Sequence, residues 1–190
     1  MNLTLIREEL KQLLNPSRFR HSIGVEEVSH DLALIHGYDT DKAQITGILH
    51  DCARYLKDEE LLETCERYHL QVRDIERECE YLLHAKVGAI IAKVKYGVED
   101  KEILDAIIYH TTGRPAMTLL EKIIFTADYI EPYRNPLPRI DLIRKAAYND
   151  LDWAVCMILE NTLNYLRESN KKIDAITVAT YEYYQKLLHI

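Results

Sequence analysis

The stretch Ile48-Leu49-His50-Asp51-Cys52 decides how the chain is interpreted, because it places a histidine beside a carboxylate in an apolar run. Neither polar side chain belongs in a hydrophobic core without a partner. Consecutive side chains on a helix project about 100° apart, so one cation between them can accept a nitrogen from His50 and an oxygen from Asp51. A lone His-Asp pair is equally typical of a surface or a helix end, so this interpretation needs support from the rest of the chain.

Apolar residues recur with a helical period along almost all of the 190 residues, and glycine and proline are scarce. No alternating run of β-branched residues predicts a sheet. Thr118 and Glu121 form a capping box at the start of one helix, and Asp41 with Gln44 suggests another. The sequence therefore predicts an all-α fold of about eight to ten helices in a single domain of residues 1–190, with His50 and Asp51 inside the third helix.

Composition and charge exclude several classes of protein. With 47% hydrophobic and 29% charged residues, the chain is typical of a soluble globular protein. The net charge of −7 disfavours binding to a nucleic-acid backbone. Residues 1–9 lack the basic and apolar regions of a signal peptide, and no later segment is typical of a membrane span. We therefore expect a cytoplasmic protein with neither a nucleic-acid nor a membrane partner.

Further polar residues fall on apolar faces of other predicted helices: His21, His84, His110 and Asp128. A single inward histidine is more often hydrogen-bonded to a carbonyl than bound to a metal, but an uncompensated buried carboxylate costs several kcal/mol. With the pair at residues 50–51, six such groups are hard to place separately in one core. We expect them to converge on one or two divalent cations, for which Fe, Mn, Ni, Co and Zn all suit imidazole and carboxylate ligands.

Basic residues close to these groups are candidates for binding an anion. Arg18 precedes His21 by three residues, Arg54 follows Asp51 by three, and Arg134 follows the helix of Asp128 in a proline-bounded loop. Residues three apart share a helix face, so these arginines can reach a phosphate beside the metal. We expect all three to bind substrate.

Two other residue types have more than one interpretation. Thr111 can donate its hydroxyl to a phosphate, although threonine near a helix end is commonly a cap. Lys57 is interpreted as a solvated side chain. The tyrosines at 181, 183 and 184 can stack on a base, but packing is the preferred interpretation.

The order His21, His50-Asp51, Asp128 resembles the HD superfamily of metal-dependent phosphohydrolases, whose ligands follow the pattern H…HD…D on helices. The additional His84 and His110 resemble the subset of that superfamily that holds a second metal. More narrowly, the YqeK family of symmetrical diadenosine tetraphosphate hydrolases is similar in these segments: Arg18-Phe19-Arg20-His21, Leu49-His50-Asp51, His84-Ala85, Tyr109-His110-Thr111-Thr112-Gly113 and Ala127-Asp128-Tyr129-Ile130-Glu131-Pro132.

This resemblance implies hydrolysis of diadenosine tetraphosphate, or a related dinucleoside polyphosphate, to two ADP, with iron as the metal. We interpret His21, His50, Asp51 and Asp128 as ligands of the first metal, and His84 and His110 as ligands of a second ion or contacts of the substrate phosphate. The candidate catalytic residues are Asp51, His84 and His110. The resemblance also implies that residues 172–175 form one edge of a nucleoside pocket.

Two alternatives stay open at this point. The chain can be another HD phosphohydrolase, such as a nucleotidase or a ppGpp-type hydrolase. It can also be a domain that senses a nucleotide without cleaving it, although the complete ligand set disfavours this. The number of metals, the base preference and the formation of a homodimer are not decided by the sequence.

Overall fold

A computed structural model of the chain describes residues 2–134 and 136–190; Met1, and Asn135 of the proline-bounded loop, lie outside the described residues. The described residues form eleven α-helices and no strand, which confirms the all-α prediction. The helices are α1 Leu3–Leu13, α2 Pro16–Ile35, α3 Thr40–Leu49, α4 Asp58–Arg67, α5 Asp74–Glu78, α6 Leu83–Val94, α7 Lys101–Tyr109, α8 Leu119–Ile130, α9 Ile140–Ala147, α10 Leu151–Glu168 and α11 Ala175–Leu187.

The described residues form one helix more than the eight to ten expected, and the shortest of them is the five-residue helix α5. Its Glu76 accepts a hydrogen bond from the backbone N–H of Arg73, at 2.8 Å, which caps the helix without any apolar face. None of the described helices combines the length and the apolarity that crossing a membrane requires.

One apolar core connects the helices, with members from Ile6 on α1 to Tyr184 on α11. Its centre is formed by side chains with no exposed surface, among them Leu32, Ile48 and Ile124. A smaller cluster beneath α4 and α6 includes Ala53, Leu61, Cys65, Leu83 and Val87.

Helix α3 begins and ends differently from the sequence prediction. Asp39, rather than Asp41, caps it, by accepting from the N–H of Lys42 at 3.0 Å. The helix ends at Leu49, so His50 and Asp51 lie in the following turn rather than inside the helix. The backbone hydrogen bonds then span three residues instead of four, from Cys52 to Leu49, Arg54 to Asp51 and Leu56 to Ala53.

The capping box predicted at the start of α8 is confirmed. The Glu121 carboxylate accepts from the backbone N–H of Thr118 at 2.7 Å, and the Thr118 hydroxyl accepts from the N–H of Glu121 at 3.3 Å. This fixes the first turn of α8, the helix that carries Asp128 two turns later.

Candidate metal centre

The structure brings together all six of the residues predicted to bind a metal ion or the substrate phosphate. His21 lies on α2, His84 on the first turn of α6 and Asp128 on the last turn of α8. His50 and His110 are the residues that follow the last turns of α3 and α7. The sixth residue, Asp51, is 2% exposed and lies at the centre of the group.

One side of the cluster contains His21, His50, Asp51 and Asp128. The Nε2 atom of His21 lies 3.2 Å from Nε2 of His50, 3.1 Å from Oδ1 of Asp128 and 3.7 Å from Oδ2 of Asp51. Nε2 of His50 lies 3.4 Å from the same Oδ2 atom and 3.8 Å from Oδ1 of Asp128. These four side chains therefore lie close together, and their assignment as ligands of the first metal stays a prediction.

The other side of the cluster contains His84, His110 and again Asp51. The two Nε2 atoms are 3.1 Å apart, and they lie 3.2 Å and 3.6 Å from Oδ1 of Asp51. The two oxygens of this one carboxylate thus face the two groups separately. A carboxylate in this position can bridge two cations.

The hydrogen bonds of the histidines show which ring nitrogen is directed into the cluster. Nδ1 of His50 donates to the Gly47 carbonyl at 2.7 Å, and Nδ1 of His110 donates to the Ile107 carbonyl at 2.7 Å. Nδ1 of His84 pairs with the Tyr81 carbonyl in the same way. A carbonyl oxygen only accepts, so Nδ1 carries a hydrogen in each ring, and Nε2 is the nitrogen that faces Asp51.

This arrangement fits a cation. His84 carries its hydrogen on Nδ1, so its Nε2 lone pair faces Oδ1 of Asp51 at 3.2 Å, and two groups that only accept cannot satisfy one another. A divalent ion satisfies them together, and the mixture of imidazole and carboxylate is a donor set that transition metals accept. Groups able to hold a metal occur at His21, His50 and Asp51, and at Asp51, His84 and His110.

Burial and charge set the protonation of the imidazoles. Desolvation by burial lowers the pKa of His50 and His84, which keeps both rings neutral. Burial also opposes protonation of His21, but the carboxylates of Asp128 and Glu131 outweigh it and raise its pKa to about 9. His21 therefore donates from both nitrogens when no cation is bound, and an arriving cation displaces the proton on Nε2.

The two carboxylates of the cluster are ionised. Burial opposes this, but the pKa of Asp51 lies well below the usual range, and the Arg18 guanidinium donates a hydrogen bond to its Oδ2 atom at 2.7 Å. For Asp128 the guanidinium of Arg134 and the His21 ring outweigh burial and lower the pKa in the same way. Both side chains are therefore available as anionic ligands at neutral pH.

Each of the three arginines predicted to bind substrate lies against the cluster. Arg18 Nη1 is 2.7 Å from Oδ2 of Asp51, Arg54 Nε is 3.6 Å from Oδ1 of the same residue, and Arg134 Nη2 is 2.7 Å from Oδ1 of Asp128. The three side chains are 30 to 32% exposed, so each also reaches solvent. Lys57, interpreted as solvated, is exposed.

Thr111 lies at the edge of the same cluster. Its hydroxyl oxygen is 3.1 Å from Nε2 of His110 and 3.5 Å from Nε2 of His84. The hydroxyl can therefore donate to either lone pair, or to a ligand that takes its place. It also lines the large cavity beside the cluster.

That cavity has a volume of about 590 Å³ and opens directly onto the cluster through His110, Thr111, Asp128 and Arg134. Its other walls come from α8, α10 and the segment after Arg134. They carry Phe125, Tyr129, Leu137, Pro138, Arg139, Ile158, Glu160, Asn161, Thr162, Asn164, Tyr165 and Glu168. Apolar surface with a few amide and hydroxyl groups is the usual lining of a small-molecule site.

Sequence reasoning did not identify this wall, because the residues on α10 show only the ordinary spacing of an amphipathic helix. The segment 172–175, expected at the edge of a nucleoside pocket, is not among the residues that line the cavity. Its Asp174 accepts from Arg73 at 2.9 Å and caps α11. The packing interpretation of the C-terminal tyrosines is supported, since Tyr184 is 1% exposed and Tyr181 and Tyr183 pack on the core.

Glu131 is a further residue of the site to which the sequence assigned no role. It is 1% exposed, and its Oε1 atom lies 3.1 Å from Nδ1 of His21. In the sequence it lies three residues after Asp128, in the same family-like segment, and in the structure it directly follows the end of α8.

The geometry and the comparisons with known proteins agree on the class of protein. The HD domain family matches residues 18–133, a span that contains all six cluster residues, so the chain is an HD-domain protein. A crystal structure from Clostridium acetobutylicum, described as a "predicted HD superfamily hydrolase involved in NAD metabolism", superimposes with a TM-score of 0.94. It is 38% identical to this chain, and the match covers 98% of each chain.

Curated relatives place the chain more narrowly. The symmetrical bis(5′-nucleosyl)-tetraphosphatase of Halalkalibacterium halodurans is 42% identical over 95% of this chain and 96% of its own length. The protein of the same name from Bacillus subtilis is 41% identical over 92% of both chains. The protein from Staphylococcus aureus is 38% identical over 95% of this chain and 96% of its own. The chain therefore belongs to the YqeK family of symmetrical bis(5′-nucleosyl)-tetraphosphatases.

Proposed function

We propose that this chain hydrolyses diadenosine tetraphosphate and related dinucleoside polyphosphates symmetrically, giving two ADP, with one or two divalent metal ions as cofactor. The observation that carries the proposal is the position of Asp51, whose two oxygens face two separate groups of histidine nitrogens. Iron is the proposed metal. The proposal includes residues 1–190 as one domain and a cytoplasmic location.

The first ion would be held by His21, His50, Asp51 and Asp128, and the second by Asp51, His84 and His110. A divalent ion bound there activates water and polarises a phosphoryl oxygen. Three protein ligands at the second position leave room for a substrate oxygen, whereas the first position has four. This makes the second ion the more weakly held of the two.

The arginines supply the positive charge that an acidic protein needs in order to bind a polyphosphate. Each of Arg18, Arg54 and Arg134 now pairs with a cluster carboxylate. Once a cation neutralises that carboxylate, the guanidinium can turn its donors to a phosphate oxygen. Thr111 adds a hydroxyl donor beside His110.

The cavity supports a dinucleotide as substrate. About 590 Å³ lies within the range of small-molecule sites and accommodates one nucleoside. Arg134 and Thr111 line this cavity, whereas Arg18 and Arg54 do not. We infer that one ADP half of the substrate occupies the cavity and that the phosphates of the other half contact Arg18 and Arg54.

The test is a product analysis with protein loaded anaerobically with Fe²⁺. Diadenosine tetraphosphate should give ADP alone, because cleavage of the central anhydride leaves a diphosphate on each side. Equal amounts of ATP and AMP would show asymmetric attack and contradict the proposal. Faster turnover of a mononucleotide or of ppGpp would favour another HD phosphohydrolase, and binding without turnover would favour a sensor.

A further inference from the structure

Glu131 is a buried carboxylate that is in contact with the metal centre but outside its ligand set. It is 1% exposed, and both of its oxygens are engaged. Oε1 lies 3.1 Å from Nδ1 of His21, and Oε2 accepts from the backbone N–H of Tyr133 at 2.6 Å. The side chain is therefore fixed at both oxygens and cannot turn away from the imidazole without losing a hydrogen bond.

His21 differs in this respect from the other histidines of the cluster. The Nδ1 atoms of His50, His84 and His110 each face the main-chain carbonyl of the residue three positions earlier. A carbonyl fixes the orientation and the tautomer of a ring. A carboxylate does the same and also brings a full negative charge, which makes the ring a stronger electron donor to a metal.

Gly24 provides the space for this carboxylate. A Cβ atom at position 24 would lie 2.7 Å from Oε2 of Glu131 and 3.0 Å from Cδ2 of Tyr133. Gly24 is buried inside α2, one turn after His21, so the absence of a side chain there lets the end of α8 approach the helix closely. The contact between Glu131 and His21 thus depends on three positions in the sequence.

We propose that Glu131 is a positioning residue that makes the His21 side of the cluster the tighter of the two cation positions. On that side Asp51 and Asp128 are themselves proposed ligands, and Glu131 pairs with the proposed ligand His21. The other side has Asp51 alone. The inference rests on the proposed metal-dependent function and concerns the order in which the two ions bind.

The test is Mn²⁺ binding, followed by the electron paramagnetic resonance signal of the free ion, in a His84→Ala background that leaves the His21 position as the complete one. In that background Glu131→Gln, which removes the charge with little change of shape, should weaken Mn²⁺ binding about 10- to 100-fold. The visible absorption bands of bound Co²⁺, which report ligand geometry, should shift as well.

Glu26→Gln is the matched control. Glu26 is also a carboxylate with 1% exposure, and it lies on α2 with His21, but it pairs with Arg7 outside the cluster. Its replacement should cost stability and leave Mn²⁺ affinity within about twofold of the parent. Equal weakening in both variants would show a merely structural role for Glu131 and overturn the inference.

Gly24→Ala is a second variant that tests the contact between Glu131 and His21. Alanine favours the helix by about 1 kcal/mol, so this protein should remain folded while its added methyl group displaces the Glu131 carboxylate. It should weaken Mn²⁺ binding in the same direction as Glu131→Gln. Unchanged affinity in both folded variants would overturn the inference alone, whereas a parent that binds no Mn²⁺ would overturn the proposed metal centre and the inference with it.

Discussion

Single residues in this site are prepared for metal binding by local hydrogen bonds. His50, His84 and His110 each use Nδ1 to pair with a carbonyl three residues earlier. His50 and His110 follow helix ends, where carbonyls have no intrahelical partner. The same contact therefore satisfies a backbone group and directs a lone pair at Asp51, so little side-chain entropy is left to lose when a cation binds.

Variants of His84 and His110 test whether a second ion binds. His84→Ala and His110→Ala should each lower the metal content from about two ions per chain to about one. Each variant removes a ligand of the second ion, whereas the shared carboxylate of Asp51 remains for the first ion. Metal analysis of anaerobically purified protein gives the stoichiometry, and turnover is measured on the same samples.

Two other outcomes of that experiment are informative. Unchanged metal content with reduced turnover would mean that the two rings contact substrate phosphate instead of a second ion. Loss of all bound metal in either variant would show that the His21 side is not the primary position.

A variant of Arg54 tests whether the arginines beside the cluster bind substrate. Arg54→Ala should lower kcat/KM about 10- to 100-fold, because a charged hydrogen bond to phosphate contributes about 1.5 to 3 kcal/mol. Lys57→Ala is the matched control, since Lys57 lies three residues further on and is exposed. Steady-state kinetics of both variants on diadenosine tetraphosphate provide the measurement. Equal losses would indicate that general surface charge, rather than a contact of Arg54, attracts the substrate.

Whether a site residue could be predicted from the sequence depended on its position in the apolar pattern. The six cluster residues stood out because they are polar and fall on, or next to, apolar helical faces. Glu131 did not, because its role depends on contact with His21, a residue 110 positions earlier. The walls of the cavity were missed for the same reason, since only the fold brings α8 and α10 together.

At the scale of elements, the site depends on the close approach of α2 and α3. Gly47 makes this approach possible, because a Cβ atom there would lie 2.9 Å from Cα of Glu26 and 3.1 Å from the Val25 carbonyl. These are backbone atoms of α2 and cannot rotate away. The separation of these two helices sets the 3.2 Å distance between the Nε2 atoms of His21 and His50.

Gly47→Ala should therefore destabilise the protein by about 1 to 3 kcal/mol, the usual cost of overpacking, and weaken metal binding. Gly88→Ala on α6 is the matched control. The Cβ atom added there would lie 3.4 Å from Cγ2 of Ile107, its nearest neighbour, which is an ordinary packing distance. That variant should be neutral or more stable by up to about 1 kcal/mol. Urea unfolding of metal-free protein measures both, and equal stabilities would contradict the role of Gly47.

Element boundaries were less predictable than element type. The periodicity placed His50 and Asp51 inside α3, but the helix ends at Leu49 because side-chain and three-residue backbone hydrogen bonds replace its last α-turn. The apolar period of α2 and α6 extends to Ile35 and Val94, yet these side chains are 53% and 61% exposed. Both are the last residues of their helices, where the periodic pattern continues although the neighbouring helix no longer covers it.

The whole molecule carries a net negative charge, yet its candidate site includes three arginines. The net charge of −7 disfavours polyanions in general. Three arginines lie beside the cluster, and one of them, Arg134, also lines the cavity. A protein with a net negative charge can therefore still bind a small polyphosphate at this place.

The metal should also contribute to the stability of the whole fold. The cluster joins α2, α6 and α8 with the ends of α3 and α7, and its converging acceptor atoms exist together only in the folded chain. An ion at about 100 times its Kd stabilises the folded state by about 2.7 kcal/mol. For a chain of this length, we expect Tm to rise by about 5 to 10 °C when Mn²⁺ is added to metal-free protein. Differential scanning calorimetry measures this rise, and Asp51→Ala should abolish it because Asp51 belongs to both groups of ligands. An equal rise in the Asp51→Ala protein would place the stabilising ion outside this cluster.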